Sequence, residues 1–599
     1  MLHRADIDHL STVDAIERDR HASPPPHLDQ AIVAEPPIRF QNRVHVDVER
    51  ACELLRRRES LAEPDLAIAI AQYGGAMNQD ANSNIDDRIA FRHDIERRFA
   101  VAPVAYSANG RTVEINGPLT LGLSIGGFGV VERSKHGDEV VIHVLALGVD
   151  ERIGPRIDFD DRADETGIGL PGTSLNVRLR GIAGEAAVLG RLSGAAFDPA
   201  TAVEPFGEEL VRPATPDEVA TVIDAMHGES PTIDIGRHRE FHELPARLRS
   251  KGFSRHTFMC GQSGSGKTYT TGVLFERLLA GSTLPVVVLD PNSDHVHLGS
   301  LANPDDHGPE AERYRAVAGQ VVTTRARGYG GTNTLCIDFS DLDRSVRAKV
   351  LRLDPIADLD EFGALREITD RLSEPFSVDD VATAAAADES TATLARRISN
   401  LGIADWGLWR RDGEESIAST DVRGSRFVVV DTGSLATPTE RTLVALAILG
   451  RRWQARRERQ PMLLAIDEAH NVLPASTDDA LLQSAVDVGT LIAGEGRKFG
   501  IHLFIASQRP GKVHPNVLSQ CDNLVLMRMN GASDVADLES AFSHVPQMLL
   551  REALSFGLGQ ALFAGPLAPL PLIAQVGTRL TPEGGADVPT TWTTPPTTA

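Results

Sequence analysis

The sequence predicts an α/β fold: a parallel-sheet core carrying a helical insertion, preceded by a small β-barrel and an N-terminal helical segment. Three observations carry this. The octapeptide Gly261-Gln262-Ser263-Gly264-Ser265-Gly266-Lys267-Thr268 sits between an apolar run, 256–260, and a helical stretch, 269–280. The runs VVVLD (286–290), FVVVD (427–431) and LLAID (463–467) are continuously apolar, the pattern of strands buried on both faces. Between residues 101 and 213, short runs rich in β-branched residues alternate with glycine turns, the pattern of a small barrel.

Taken in order, residues 1–45 read as weakly ordered, since Pro24-Pro25-Pro26 and Pro36-Pro37 interrupt any regular element. Residues 46–100 read as helical, with apolar positions near a 3.6-residue spacing. The barrel, 101–213, is expected to use strands 111–115, 127–132, 139–147, 174–180 and 186–192. The core, 214–580, opens with a helix over 214–225, for which Thr215 before Pro216 supplies a cap. Its strands are expected at 256–260, 285–290, 426–431, 462–467, 501–507 and 523–528, with a helical insertion at about 340–420. Residues 581–599 are Thr- and Pro-rich and read as a flexible tail.

At 599 residues, with 42% hydrophobic and 24% charged residues, the chain has the composition of a globular protein of several domains. A net charge of −23 argues against a surface coated in basic residues, though not against a local basic channel. The four cysteines form no CxxC, so neither a zinc site nor a disulfide framework is implied, and Cys260 reads as a buried strand residue. No run of about 18 apolar residues marks a membrane span, and the start has no signal-peptide core; a cytoplasmic location is expected.

The octapeptide is a P-loop in its required setting of strand, glycine-rich turn and helix. Its residues Gly261, Ser263, Gly264, Ser265 and Gly266 would wrap the backbone around phosphates, so that successive N–H groups point at phosphate oxygens. Lys267 would reach the β- and γ-phosphates of ATP, and the Thr268 hydroxyl would ligate Mg²⁺. A second segment, MLLAIDEAH (462–470), is an apolar strand ending in two carboxylates, the Walker B pattern. Asp467 would hold Mg²⁺ and Glu468 would polarise the attacking water, where an isolated acidic strand end could simply cap the next helix. Gln508 ends the apolar run 501–507, placed either to contact phosphate or water or to serve as an ordinary loop residue. Arg497 follows a helix expected over 476–493, with Ser476 and Asp479 as a capping box. At this stage an arginine finger and a cation satisfying helix-end carbonyls fit it equally. Arg325, Arg327, Arg509 and Lys512 lie near glycine-containing loops and could line a nucleic-acid channel or be solvated.

The chain resembles the HerA family of hexameric DNA translocases, within the FtsK–HerA group, over about residues 105–580. The resemblance rests on Arg255-His256 ahead of GQSGSGKT, then VVVLDPNSDH, LLAIDEAHNVLP, GEGRKFGIHLFIASQRP and LSQCDNLVLMRM. It implies a RecA-like core with a helical insertion and an N-terminal HAS barrel. It also implies a homo-hexameric ring with double-stranded DNA in its pore, and a nuclease or other effector as partner. Arg497 then corresponds to an arginine acting in trans, Arg255 to a second arginine contacting nucleotide across or within the interface, and Gln508 to a nucleotide sensor. The motif usually written D-P-x-G-E-Y here reads Asp290-Pro291-Asn292-Ser293-Asp294-His295, which leaves Asp294 without an assigned role.

The function expected from this resemblance is ATP-driven translocation along duplex DNA, with a partner nuclease in DNA processing or antiviral defence. The alternative is an ATP-gated scaffold that organises a nuclease with little translocation of its own. A conjugation or secretion ATPase of the same group is disfavoured by the lack of membrane helices, and an ABC ATPase by the lack of LSGGQ.

Overall fold

The computed structural model describes residues 102–134, 136–158, 174–194, 196–418 and 425–585. The expected weakly ordered start (1–45), the helical segment (46–100) and the tail beyond residue 585 lie outside the described residues.

The first seven strands are β1 (Val104–Ser107), β2 (Thr112–Pro118), β3 (Phe128–Arg133), β4 (Asp138–Asp158), β5 (Ser174–Ser193), β6 (Ala196–Pro199) and β7 (Phe206–Pro213). They pair in the order β2-β1-β7-β3-β4-β5-β6, and β2 also pairs with β5, which closes six of them into a barrel. Alternation places the side chains. Along β2, Val113 and Ile115 are buried while Thr112 and Glu114 are exposed. Val131, Ile142, Val188 and Phe206 join them inside.

The expected strands 174–180 and 186–192 are one strand, β5. The glycines that suggest a turn between them are points of close approach. A Cβ on Gly181 would stand 2.7 Å from the Gly117 carbonyl oxygen, and one on Gly184 would stand 2.3 Å from that of Ala146.

Helix α1 (Pro216–His227) starts where its sequence cap predicts: Thr215 and Glu218 form a reciprocal capping box, with Pro216 in the first turn. A second sheet follows. Its strands are β8 (Thr232–His238), β9 (Pro245–Arg249), β10 (Thr257–Cys260), β11 (Val286–Asp290), β12 (Val321–Arg325), β13 (Asn333–Thr334), β14 (Phe427–Asp431), β15 (Met462–Ile466), β16 (Ile501–Ser507), β17 (Asn523–Met527), β18 (Gln560–Ala564) and β19 (Leu572–Val576). Their spatial order is β13-β12-β14-β11-β15-β16-β10-β17-β18-β19-β8-β9. From β13 to β17 all neighbours are parallel. From β17 to β9 all are antiparallel. The fold is mixed α/β, with a barrel followed by a P-loop ATPase-type sheet.

The central strands are apolar throughout because both faces are covered. Val287, Leu289, Val428, Val430, Leu464 and Ile466 belong to one core, and their neighbours Val286, Val288, Phe427, Val429, Leu463 and Ala465 to the other. The strands the sequence does not reveal, such as β9 and β12, carry polar residues among the apolar ones and lie toward the sheet's ends.

Helices α2 (Lys267–Gly281), α3 (Pro309–Ala318), α8 (Pro438–Gln454) and α9 (Ala480–Glu495) connect strands of this sheet. Helices α4 (Arg344–Val350), α5 (Leu359–Arg371), α6 (Val378–Ala386) and α7 (Ala392–Leu401) lie between β13 and β14, within the stretch the sequence marks as helical. Helix α9 starts at Ala480. Its cap is Asp479, whose carboxylate accepts from the Leu481 and Leu482 N–H groups, so the Ser476 cap expected from sequence is not used. Among the described residues no helix is long and apolar enough to cross a membrane.

One buried side chain ties the sheet's N-terminal edge together. Asn523, fully buried, donates to the carbonyl of Gly252 and the hydroxyl of Thr257 at 3.0 Å each, and accepts from the Leu567 N–H at 3.0 Å. Asn523→Ala removes all three bonds and takes from the Leu567 N–H its acceptor, and is expected to lower stability by about 1–3 kcal/mol, measured as a shift in the chemical-denaturation midpoint.

Candidate active site

The P-loop lies where β10 ends and α2 begins. Gly264 and Gly266 have φ of 73° and 93°, a conformation that glycine adopts without strain, and Gly266 is the N-terminal cap of α2. Ser265 Oγ is buried without a hydrogen-bond partner, and a Cβ at Gly264 would have only Arg528 Nη2 nearby, at 3.9 Å. The loop is thus an open cradle of N–H groups at a helix N-terminus, a fit for phosphate.

Sheet order brings the other expected residues to this loop. Strand β16 lies between β15 and β10, so the C-terminal ends of the three strands deliver Asp467-Glu468, Gln508 and Lys267 side by side. The Lys267 ammonium donates to Asp467 Oδ1 and Glu468 Oε1, each at 2.8 Å. The Gln508 amide donates to the same Glu468 oxygen at 2.8 Å. Glu468 Oε2 is buried, has no hydrogen-bond partner and lies 3.4 Å from His470 Nδ1. Glu468 has a φ of 43°, left-handed for a non-glycine residue, which fixes where its carboxylate sits.

Electrostatics match this geometry. Burial opposes the charge on Lys267, but Asp467 and Glu468 more than offset it and hold its pKa above the ordinary lysine value. Burial likewise opposes ionisation of Asp467, yet Lys267 holds its pKa below the ordinary carboxylate value. Asp290 behaves in the opposite way. Desolvation pushes its pKa up to about 7, against backbone donors from His295 and Asp294 that favour its charge.

Two residues that sequence reading leaves unassigned also reach the site. Carboxylate oxygens of Asp290, Asp294 and Asp467 lie within 4.8 Å of one another. The Thr268 hydroxyl donates to Asp294 Oδ2 at 3.3 Å. This is a set of hard oxygen donors, and the residues fit Mg²⁺. The signal was present in the motif at 290–295. Ser293 stands where the usual motif has glycine, keeps a φ of 62°, and donates its hydroxyl to Asp431 at 2.7 Å. The backbone turn that glycine favours is therefore retained, and it carries Asp294 to Thr268.

Arg255 and Arg497 are not at this site. Both precede strands, and both pair with Asp522 at the sheet's N-terminal edge: Arg255 at 3.3 Å, and Arg497 more closely. Arg255 lies six positions before the start of the P-loop along an extended strand, about 20 Å. Arg497 lies in a 3₁₀ turn (Gly496–Phe499) and is half-exposed. Arg325 and Arg327 are each engaged by a carboxylate of the same chain. Arg325 binds Asp431 at 2.7 Å, and Arg327 binds Glu414.

A cavity of about 250 Å³ opens beside Asp467, lined also by Thr439, Arg441, Asn471 and Asp479. A larger one, about 890 Å³, lies at the opposite edge of the sheet, lined by Lys251, Arg451, Arg456 and His502 among others. The smaller is the one contiguous with the chemistry, since only it includes a carboxylate of the cluster.

The chain is similar to known proteins. Residues 233–407 match the family model described as the central domain of helicase HerA. The chain is 32% identical over 129 residues to the probable DNA double-strand break repair helicase HerA of Methanocaldococcus jannaschii, a match covering 22% of this chain and 25% of that protein. It is 22% identical over 414 residues to the DNA double-strand break repair helicase HerA of Sulfurisphaera tokodaii, covering 62% of this chain and 73% of that protein. The first match thus spans only about a quarter of its HerA relative. Among solved structures, VirB4 of Thermoanaerobacter pseudethanolicus aligns with a TM-score of 0.41 at 16% identity, over 59% of this chain and 97% of that one.

The buried Lys267–Asp467–Glu468 group makes a prediction about pH. Asp467 has a depressed folded pKa, so the stability it contributes is present above the unfolded carboxylate pKa and is lost as pH falls through the folded value. Lys267→Ala removes the cause of that depression and leaves two buried carboxylates unpaired. At pH 7 it is expected to cost about 3–5 kcal/mol, and the difference from wild type should shrink below about pH 4. Urea unfolding at the two pH values measures this.

Proposed function

We propose that this protein is an ATP hydrolase that assembles as a ring, with a homo-hexamer expected, and drives translocation along double-stranded DNA. The observation that carries the reading is the division of the expected catalytic residues between opposite ends of one sheet. Lys267, Asp467, Glu468 and Gln508 converge at the C-terminal edge, while Arg255 and Arg497 stand at the N-terminal edge. Arg255 and Arg497 of one chain therefore stand away from its own phosphate site, and a neighbouring copy can supply them there.

In this reading the P-loop N–H groups from Gly261 to Thr268 and the Lys267 ammonium bind the phosphates of ATP. Thr268 and Asp467 would hold Mg²⁺, with Asp290 and Asp294 beside them. When bound, the ion neutralises charge developing on the phosphate oxygens. Glu468 takes a proton from water through Oε2, the oxygen that neither Lys267 nor Gln508 engages. Gln508 holds the other oxygen of that carboxylate in place. Arg497 of the next subunit stabilises charge on the transferred phosphoryl group, and Arg255 supports it. Such arginines in trans contribute about 10³–10⁵ in rate where they have been measured. A partner nuclease, in DNA processing or antiviral defence, completes the proposal.

A second reading, an ATP-gated scaffold for a nuclease with little translocation, is favoured by one observation. Arg325 and Arg327, candidates for a DNA channel, are engaged by Asp431 and Glu414 in a chain of net charge −23.

The first test is steady-state ATP hydrolysis with and without linear duplex DNA. Stimulation by duplex is expected, with Lys267→Ala inactive and Glu468→Gln binding ATP without hydrolysing it. Turnover indifferent to DNA would favour the scaffold, and normal turnover by Lys267→Ala would sink the site. The trans role of Arg497 is read from mixed rings. Arg497→Ala and Glu468→Gln subunits, each inactive alone, should recover part of the activity at interfaces where both intact residues meet. Rings shown to mix without any recovery would refute it.

A further inference from the structure

The segment after β19 returns across the phosphate-binding helix α2 and grips it through side chains far away in sequence. Arg579 lies at its centre. Its side chain is only 1% exposed, and a guanidinium buried this deeply is costly unless its donors are engaged. Its principal engagements are backbone carbonyls. Nη1 donates to Thr268 O at 3.4 Å, and Nη2 donates to Asp294 O at 3.1 Å and Pro582 O at 3.3 Å. Nε donates to the Thr581 hydroxyl at 3.3 Å, and Glu583, half-exposed, stands 3.5 Å from Nη1.

Two of the three residues whose carbonyls it engages, Thr268 and Asp294, are those whose side chains meet at the cation-side rim of the site. The rest of the strap is anchored independently. Glu276 on α2, fully buried, accepts from the Leu580 N–H at 2.9 Å, the Thr581 N–H at 2.8 Å and the Thr581 hydroxyl at 2.7 Å. The Tyr269 hydroxyl accepts from the Arg579 N–H at 2.7 Å. Gly584 donates to Asp294 O at 3.1 Å and passes so close that a Cβ there would stand 1.8 Å from the Ser293 carbonyl oxygen.

We propose that Arg579 is a positioning residue for the metal side of the nucleotide site: its planar fork ties the backbone of Thr268 to that of Asp294, setting the distance between the two oxygen donors. The proposal rests on the reading of this site as one for Mg²⁺ and ATP. It assigns Arg579 no contact with the nucleotide itself. The P-loop N–H groups and Lys267, which hold phosphate without metal, make no hydrogen bond to Arg579. Its loss should therefore weaken metal-assisted binding selectively. A lysine cannot bridge two carbonyls with a planar fork and should rescue only in part.

The test is the affinity of a fluorescent ATP analogue measured with Mg²⁺ and again with excess chelator, for wild type, Arg579→Gln, Arg579→Lys and Glu276→Gln. Arg579→Gln is expected to weaken binding about tenfold or more with Mg²⁺, as removal of groups supporting metal ligands does, and by less than about twofold with chelator. Glu276→Gln, whose carboxylate accepts from the strap at Leu580 and Thr581, should shift the same way by a smaller factor. Arg579→Lys should fall between wild type and Arg579→Gln. Equal weakening in both conditions would reduce Arg579 to a structural role and overturn the proposal, as would unchanged binding. If Arg579→Gln does not fold, Glu276→Gln carries the same decision. Wild type that binds no nucleotide would overturn the reading of the site and the strap together, whereas loss of binding by Lys267→Ala under both conditions upholds the site and leaves the strap to be judged alone.

Discussion

A buried ammonium held between two buried carboxylates is the constraint on which the phosphate site depends. Lys267, Asp467 and Glu468 are each less than a tenth exposed, and none is tolerable there without the others. The sheet makes the arrangement possible. Strand β10 must carry Lys267 at its end, β15 must carry the two acids, and β16 must lie between them to deliver Gln508. A slip in register of one strand would move a charge against apolar neighbours. The pairing of the three strands and the charge balance at their ends therefore specify one another, and the apolar runs on both faces fix the strands that carry them.

The same sheet has a second polar edge, and its contrast with the first is informative. At the C-terminal edge the charges are buried and tightly paired. At the N-terminal edge Arg255 and Arg497 share Asp522, with all three side chains 40–46% exposed. Exposed ion pairs of this kind contribute little to stability. Two arginines held loosely by one carboxylate can exchange it for a more highly charged anion at small cost, whereas Lys267 cannot leave its carboxylates without an equally strong partner. That asymmetry suits the proposed completion of the site between copies, with a rigid half for the nucleotide and a half whose arginines can change partner.

What was legible in the sequence follows from how local its cause is. The P-loop, the Walker B acids, Gln508 and the central strands were readable because each is a short motif whose own residues fix its conformation. The α1 cap, Thr215 with Glu218, is of the same kind. Errors arose where a residue type has two physical uses. Gly181 and Gly184 read as a turn, but within β5 they permit close contact with neighbouring strands. Arg325 and Arg327, read as either channel or solvated residues, are paired with Asp431 and Glu414, about a hundred residues further on, which the sequence does not reveal. Strands such as β9 and β12 carry too many polar residues for periodicity to expose them.

Asp294 shows how local and distant causes combine. The motif at 290–295 departs from its usual form at three positions: serine for glycine, a shorter acid, and histidine for tyrosine. Each change has a counterpart in the fold. The serine keeps the left-handed turn and gains a bond to Asp431. The histidine is buried edge-on to Phe275, and desolvation pushes its pKa down to about 3, which keeps it neutral. The shorter carboxylate still reaches the Thr268 hydroxyl, and the backbone that carries it is held from behind by Arg579 and Gly584, nearly three hundred residues away. A motif scan sees only a weakened match at 290–295. Physically, the backbone that carries the shorter acid is held by Arg579, and that residue lies outside the motifs quoted from the sequence.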